Sequence, residues 1–320
     1  MRVARLPDDN LRTQGAERRA WYLSHSPHHL DAVARLIEDA TRRAPPDAHA
    51  RAVVLGAGAC TEVPLAVLAR LYRSVTLVDL DSRGMERARA EVPQVYRERV
   101  TLISADISGG VSASLARELA SQPWADLAAL TGKNGTAPLD AAAGCLQRTD
   151  VPDPPAIGGL EPGAYSLVIS TLVLTQLFNL PLLDVVDTLT VHVPWAVDLR
   201  ETHERYRAAA TRFRRRLALA HLHLIARLLA PTSTAVFITD VTGYLLSPRA
   251  GPHAGPAEES LAVLPADALR LPDDLMRDFS LPSAPQHWRW TVHEPGPAQP
   301  GRAYDVFGTV LMPRNAADAK

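Results

Sequence analysis

The chain has 320 residues, 47% of them hydrophobic and 22% charged, the balance of a soluble globular protein with material for one large or two modest domains. Its 34 Lys and Arg against 35 Asp and Glu give a net charge of −1, which removes the basic excess of a protein that grips nucleic acid mainly through its phosphates. Cys60 and Cys145 are too few for a disulfide framework or a thiolate zinc site. "MRVARLPDDN" lacks the apolar core of a leader, and the richest apolar stretch is broken by Gln176, Asn179, Pro181 and Asp184, so the expectation is a cytoplasmic protein with no membrane span.

In chain order, residues 10 to 43 read as two helices, "LRTQGAERRAWYL" and "LDAVARLIEDATRR", the second with Leu30, Val33, Ile37 and Ala40 on one stripe. "APPDAHA" follows as a linker, because consecutive prolines disfavour helix. From residue 51 strand and helix alternate. Strands are expected at 51 to 56, 74 to 80, 99 to 105, 165 to 170 and 234 to 240, with helices at 61 to 72, 82 to 91, 110 to 121, 174 to 190 and 199 to 229. The long connection 123 to 163 is expected to hold one short helix before a Pro/Gly-rich loop. After a second such loop, "HWRWTVHE" and "YDVFGTVLMP" form two strands with no helix between them. The sum is an α/β fold: a doubly wound, seven-stranded, mostly parallel sheet with an antiparallel edge hairpin and an N-terminal helical extension.

Gly56 and Gly58, in "VVLGAGACTEVPL", end the first strand at the entrance to a helix, where backbone can approach a ligand closely. Asp79 ends the second strand, where a carboxylate accepts hydrogen bonds from ribose hydroxyls. Asp106 follows the third. Three such positions at the C-terminal ends of consecutive parallel strands converge on one nucleoside site. Asp81 reads more simply as the cap of a helix beginning near Ser82. A dinucleotide fingerprint needs a small residue where this chain has Thr61, which disfavours a nucleotide-dependent oxidoreductase.

The pattern "VVLGAGAC…VTLVDLD…VTLISADIS…YSLVISTLVLTQL", closed by the terminal hairpin, resembles the class I S-adenosylmethionine-dependent methyltransferases over about residues 50 to 312. The resemblance implies a methyltransferase domain over 49–313 with insertions near 123–163 and 241–285, a helical extension or lid over 1–48, and a tail over 314–320. It implies S-adenosylmethionine as cofactor, with Gly56, Ala57 and Gly58 along its methionine portion and Asp79 on the ribose. Leu80 would pack on the adenine, Asp106 with Ile107 would meet the adenine edge, and Ser170 and Thr171 would border the methyl group. Two positions depart from the family pattern: Val54 stands where an acid is frequent, and Cys60 where a third glycine is frequent. Glu62 is then the substitute contact for the methionine ammonium.

The acceptor is expected to be a small molecule methylated on oxygen or nitrogen. The stretch after the fourth strand, "STLVLTQL", lacks the polar-Pro-Pro-aromatic motif of enzymes acting on nucleobase amines, which disfavours nucleic acid. In "RYRAAATRFRRR", about 100° per residue puts Arg205, Arg212 and Arg216 on one side, Arg207 and Arg214 nearly opposite, and an apolar stripe of Tyr206, Phe213, Leu217, Leu224 and Leu228 between them; the arginines read as a solvated frame. His221 and His223 point apart on a helix and His28 and His29 are adjacent, so no metal site is expected. Candidate bases are His25, His192, Asp240 and Tyr244, each more readily structural than catalytic. Trp21 and Tyr22 are candidate lid residues, and Trp288 and Trp290 share one face of a strand. The rival reading is a binding or regulatory protein that keeps the fold and the cofactor but performs no chemistry.

Overall fold

The computed structural model describes residues 25–43, 51–131, 135–247, 257–295 and 300–314. The helix expected near residues 10 to 22, with Trp21 and Tyr22, the linker at 44 to 50 and the extreme C-terminus lie outside the described residues.

Five strands form the parallel part of the sheet: β1 (Arg51–Leu55), β2 (Ser74–Asp79), β3 (Val100–Ser104), β4 (Tyr165–Thr171) and β5 (Leu229–Ser247), side by side in the order β3-β2-β1-β4-β5. Their apolar runs are covered on both faces. β4 has all seven residues buried, and along β1 Val53 and Leu55 face one core while Ala52 and Val54 face the other. The strand order reverses between the parallel β1 and β4, and the crevice there, at the C-terminal ends of the strands, is where sheets of this kind bind ligands.

One face is covered by α1 (Pro27–Arg43), α2 (Leu65–Leu71), α3 (Ser82–Glu91) and the short α4 (Gln94–Arg97). The other carries α5 (Val111–Ala120), α6 (Trp124–Thr131), α7 (Ala137–Arg148), α8 (Leu174–His192), α9 (Ala196–Leu199) and α10 (Glu204–Leu228). The stretch 123 to 163 thus holds two helices, α6 and α7, where one was expected. The single helix expected over 199 to 229 is divided, because His203 caps a new start: its Nδ1 accepts from the Tyr206 N–H at 3.1 Å, with Glu204 in the first turn. The stripe Tyr206, Phe213, Leu217, Leu224 and Leu228 is buried as its spacing implied.

The C-terminal third completes the sheet. β6 (Ala257–Ala262) pairs with the far half of β5; after α11 (Leu275–Asp278) come β7 (Phe279–Ser280), β8 (Gln286–His293) and β9 (Gly301–Pro313). β9 lies antiparallel beside β5, and β8 lies antiparallel beside β9. That is the expected edge hairpin. β6 and the two-residue β7 bring the strands among the described residues to nine, against seven expected. No helix among the described residues is long and apolar enough to cross a membrane.

α1 starts at Pro27, whose fixed φ suits a first helical position, and lays Val33, Leu36, Ile37 and Ala40 on the sheet. The two tryptophans of β8 anchor it. Trp288 Nε1 donates to His29 Nδ1 at 3.0 Å, Trp290 Nε1 donates to Ser26 Oγ at 3.2 Å, and the His29 ring stacks on Trp290 with centroids 4.3 Å apart. Gly308, in β9 beneath this contact, has no room for a side chain: a Cβ there would lie 2.7 Å from both Leu36 Cδ1 and the Trp288 ring. Gly308→Ala is therefore expected to destabilise the protein by about 1–3 kcal/mol, since a paired strand cannot shift to admit the methyl. Urea unfolding with the midpoint unchanged would contradict this packing.

Candidate functional site

The turn after β1 is built from backbone that leaves the right-handed region. Gly56 has φ +68°, Gly58 φ +47° and Cys60 φ +49°. The N–H groups of Gly56 and Ala57 both bond to the Val78 carbonyl, at 2.9 and 3.1 Å, and Cys60 N–H closes on the Ala57 carbonyl at 2.7 Å. Gly56 faces the chain after β4: a Cβ there would lie 2.5 Å from Val173 Cγ2, so only glycine lets these two segments meet. Around Gly58, by contrast, a Cβ would meet nothing within 4 Å. Cys60, a non-glycine residue, holds a left-handed conformation with its side chain buried.

Asp79 binds this turn to β2. Its Oδ2 accepts from Gly58 N–H at 2.9 Å and its Oδ1 from Asp81 N–H at 2.8 Å. Asp81 in turn caps α3 by accepting from Gly84 N–H at 2.9 Å, as its position implied. Gly84 is required there, since a Cβ would collide with the Asp81 carboxylate and lie 3.1 Å from the Gly58 carbonyl carbon. Leu80, between the two aspartates, is 70% exposed. An apolar side chain that open, beside two glycine-lined turns and a carboxylate, is free to be covered by a flat ring.

One strand over, Ala105 N–H bonds to the Asp79 carbonyl at 3.1 Å, so Asp106 starts immediately beside this group. Much of its carboxylate serves its own loop. Oδ1 accepts from Ser108 N–H and the Ser108 hydroxyl at 2.8 and 2.6 Å, and Oδ2 from Gly110 N–H at 3.1 Å. Ile107 is buried in the core on the α5 side. Glu62 sits partly covered beyond the glycine turn, where burial pushes its carboxyl above the usual range; it lines a cavity of about 330 Å³ with Cys60, Leu30 and Asp31.

The end of β4 divides the remaining expectations. Ser170 is fully buried and its hydroxyl lies 2.8 Å from His221 Nε2 on α10, so that side chain is directed into the interior. Thr171 ends the strand, and Leu172 turns the chain with φ +53° while its N–H bonds to the Ile238 carbonyl at 2.8 Å. A non-glycine residue in that conformation stores about 1 kcal/mol or more, and such strain concentrates at functional sites. Thr175, in the first turn of α8, donates to Asp240 Oδ1 at 2.6 Å across the ends of the two strands. Burial raises the Asp240 carboxyl above its usual range although the Thr175 bond opposes this, and Tyr304 lies close enough to feel its charge.

The other three candidate bases are elsewhere. His192 is the last of the nineteen residues of α8, about 27 Å from the helix start, and is stacked on Trp124. Tyr244 is farther along β5, with its hydroxyl given to the Asp305 carboxylate and the Arg289 guanidinium over its ring at 4.3 Å. His25 is exposed just before α1. The site thus joins Gly56, Ala57, Gly58, Asp79, Leu80 and Asp106 along one edge, with Asp240 and Thr175 at the next strand ends. Thr175 was not singled out from the sequence; a hydroxyl in the first turn of the helix after a buried strand was the available signal.

Arg205, Arg207 and Arg212 of α10 are exposed, as a solvated frame requires, and Arg214, Arg215 and Arg216 are not. Arg215 makes a forked pair with Asp274 at 3.0 and 3.1 Å, Arg216 donates to the Thr149 carbonyl, and Arg205 reaches Asp140. Arg214 is half-buried. Among the described residues no group of three or more His, Cys, Asp or Glu is arranged to hold a metal ion.

No protein-family model matches the chain, and no curated protein matches it. Among solved structures the chain is similar to the N-methyltransferase NodS of Bradyrhizobium japonicum in complex with S-adenosyl-L-homocysteine, at 11% identity and a TM-score of 0.42 over 96% of this chain and 98% of that one. It is also similar to the glycopeptide N-methyltransferase MtfA complexed with S-adenosyl-L-methionine, at 12% identity and a TM-score of 0.35 over 88% and 94%. A third is an S-adenosylmethionine-dependent methyltransferase of Mesorhizobium loti, at 13% identity and a TM-score of 0.35 over 84% and 96%.

Two buried histidines give the fold an acid limit. Burial lowers His221 to about 4, and burial followed by the neighbouring His28 lowers His29 to about 3. In the unfolded chain both titrate near about 6.5, so below that pH the unfolded state takes up protons that the folded state refuses. Stability from each is complete above about pH 6.5 and falls by up to about 1.4 kcal/mol per pH unit as pH drops toward the folded value. The raised carboxyls of Glu62 and Asp240 act in the opposite direction, so the informative comparison is with a chain altered at His221 alone. Urea unfolding from pH 7 to 4.5 is expected to show a shallower loss of stability for His221→Gln than for the native chain; parallel curves would contradict the buried neutral ring.

Proposed function

We propose that this chain is an S-adenosylmethionine-dependent methyltransferase that methylates an oxygen or nitrogen of a small molecule by direct displacement. The observation that carries the reading is the bond from Gly58 N–H to the Asp79 carboxylate, with open space at Gly58 and the exposed Leu80 alongside, at the C-terminal ends of adjacent parallel strands. These residues fit a nucleoside. Each Asp79 oxygen accepts one backbone N–H and retains acceptor capacity for a ribose hydroxyl. Leu80 offers an uncovered apolar face to adenine, and Asp106 Oδ2 retains capacity for its amino group. The open side of Gly58 admits the amino-acid portion, with Glu62 beyond it. When bound, S-adenosylmethionine would supply an electrophilic methyl group on a sulfonium, whose carbon–sulfur bond would break toward neutral S-adenosylhomocysteine as an acceptor lone pair bonds to the methyl carbon.

For such a displacement the protein's share is proximity, alignment and exclusion of water. The strained Leu172 turn and the Thr175–Asp240 bond hold the ends of β4 and β5 together beside the cofactor edge. Asp240, half-buried with its carboxyl pushed upward, is the residue suited to receive a proton from an acceptor that arrives protonated. A second reading, a binding protein without chemistry, draws support from the Ser170 hydroxyl committed to His221 and from the Asp106 carboxylate committed largely to its own loop. The two readings share the cofactor and differ in turnover.

Titration calorimetry with S-adenosylmethionine and S-adenosylhomocysteine tests the cofactor. Both are expected to bind, and Asp79→Ala is expected to weaken them at least tenfold, because a ribose hydroxyl bonded to a charged group contributes about 1.5–3 kcal/mol. No binding at millimolar concentration, or an Asp79→Ala affinity equal to that of the native chain, would remove the proposal.

A further inference from the structure

A cavity of about 460 Å³ lies between the first half of α8, the first half of α10 and the end of β6. One wall is apolar, with Leu182, Leu183 and Val263. The polar side is arginine-rich: Arg200, Arg207 and Arg214 all line it. The cavity's two acids have partners within its own lining. Glu201 pairs with Arg200 at 3.1 Å, and Asp267 accepts from the Thr211 hydroxyl at 3.1 Å.

Arg214 has no hydrogen-bond or ion-pair partner among the described residues, and its Nε–H is shielded from solvent with no acceptor. Asp267 and Glu201 are near enough for their charges to be felt, yet neither closes an ion pair. Burial lowers its guanidinium below the usual range, the sign of a cation held where water serves it poorly. Its neighbours Arg215 and Arg216 both have partners, so of these three arginines the one with an unmet donor is the one whose side chain lines the cavity. Arg207, seven residues earlier and so on the same helix face, lines the same space and is exposed. A half-buried guanidinium with an unmet donor is a group that proteins rarely leave so unless a ligand completes it.

The location ties this space to the proposed reaction. Asn179, on its wall, is four residues after Thr175 and hence one turn along the same face of α8 from the Thr175–Asp240 bond. Val263, on the opposite wall, donates its N–H to the carbonyl of Val241, the residue after Asp240, at 3.0 Å. Both walls therefore start beside the ends of β4 and β5.

We propose that this cavity is the acceptor subsite and that Arg214, assisted by Arg207, holds the carboxylate of an acidic small-molecule acceptor whose apolar body lies along Leu182, Leu183 and Val263. The assignment of the ligand as an acceptor rests on the methyltransferase reading above; the anion site itself does not. A guanidinium fork matches a carboxylate with two parallel hydrogen bonds, which a point charge cannot reproduce. The volume is within the range of small-molecule sites, and an apolar wall with few convergent polar groups is their usual composition.

Naphthoate and its uncharged counterpart naphthamide, titrated against the full chain by saturation-transfer NMR, separate the carboxylate from the apolar body. The native chain is expected to prefer naphthoate by about tenfold or more, the effect of charge-assisted hydrogen bonds. Arg214→Gln is expected to abolish that preference, and Arg214→Lys to restore part of it. Arg207→Gln, at an exposed position, keeps the test available if Arg214→Gln fails to fold, with a severalfold selective loss of naphthoate expected. Equal binding of the two probes by the native chain, or a preference that survives both glutamine variants, would overturn the proposal. S-adenosylhomocysteine titrated into the same samples keeps the two readings apart. Its failure to bind alongside an Arg214-dependent naphthoate preference would remove the acceptor role and leave the anion site supported; its normal binding with no naphthoate preference would remove the anion site alone.

Discussion

The hydrogen bond from Gly58 N–H to the Asp79 carboxylate is the constraint on which the rest of the site depends. It joins the turn after β1 to the end of β2, and each of its neighbours follows from it. With one oxygen on Gly58, the other receives Asp81 N–H, which sets Asp81 to cap α3 and leaves Leu80 projecting between them into solvent. α3 can then start so close to the glycine turn only because Gly84 has no side chain. On the opposite side Gly56 admits Val173 from the β4 turn. Gly56 and Gly84 thus allow three chain segments to meet, and the Asp79 carboxylate ties the turn to the end of β2. Removing that carboxylate exposes two backbone donors at once, so Asp79 has a structural role as well as the proposed one toward ribose.

The second constraint is the length of β5. At 19 residues it leaves β4 after Ile238 and continues between β9 and β6, beyond the end of the parallel strands. That overhang carries the chain past Asp240 and fixes the segment around Val263 by backbone bonds to Val241. The space between this segment and the α8–α10 pair is the arginine-lined cavity. The segment from Leu261 to Asp267 is thereby both wall and, through Val241, tied to the end of β5. The N-terminal α1, on the opposite face, covers β5, β8 and β9 through Leu36, His29 and the two tryptophans and takes no part in that cavity.

The parallel strands, the edge hairpin and the glycine-to-Asp79 relation were legible because each is written in local pattern: continuous apolar runs for buried strands, glycine where φ turns positive, a carboxylate at a strand end. The Asp81 cap and the apolar stripe of α10 were legible for the same reason. What was not legible depends on partners distant in sequence. Ser170 and Asp106 occupy the strand-end positions expected of them, but one hydroxyl is directed to His221 and much of one carboxylate to Ser108 and Gly110. Helical spacing placed Arg207 with Arg214 and apart from Arg205, Arg212 and Arg216; only packing against α8 and β6 separates an unpartnered guanidinium from a solvated one. The start of α10 was misread because a histidine cap at His203 carries little signal compared with Ser, Thr, Asp or Asn.

A crystal structure of the chain soaked with S-adenosylhomocysteine tests the central claim most directly. The expected result is electron density for the nucleoside with its ribose hydroxyls on Asp79, its adenine over Leu80 and its sulfur facing the Leu172 turn. Density in another part of the molecule, or a ribose that leaves Asp79 bonded only to Gly58 and Asp81, would contradict it.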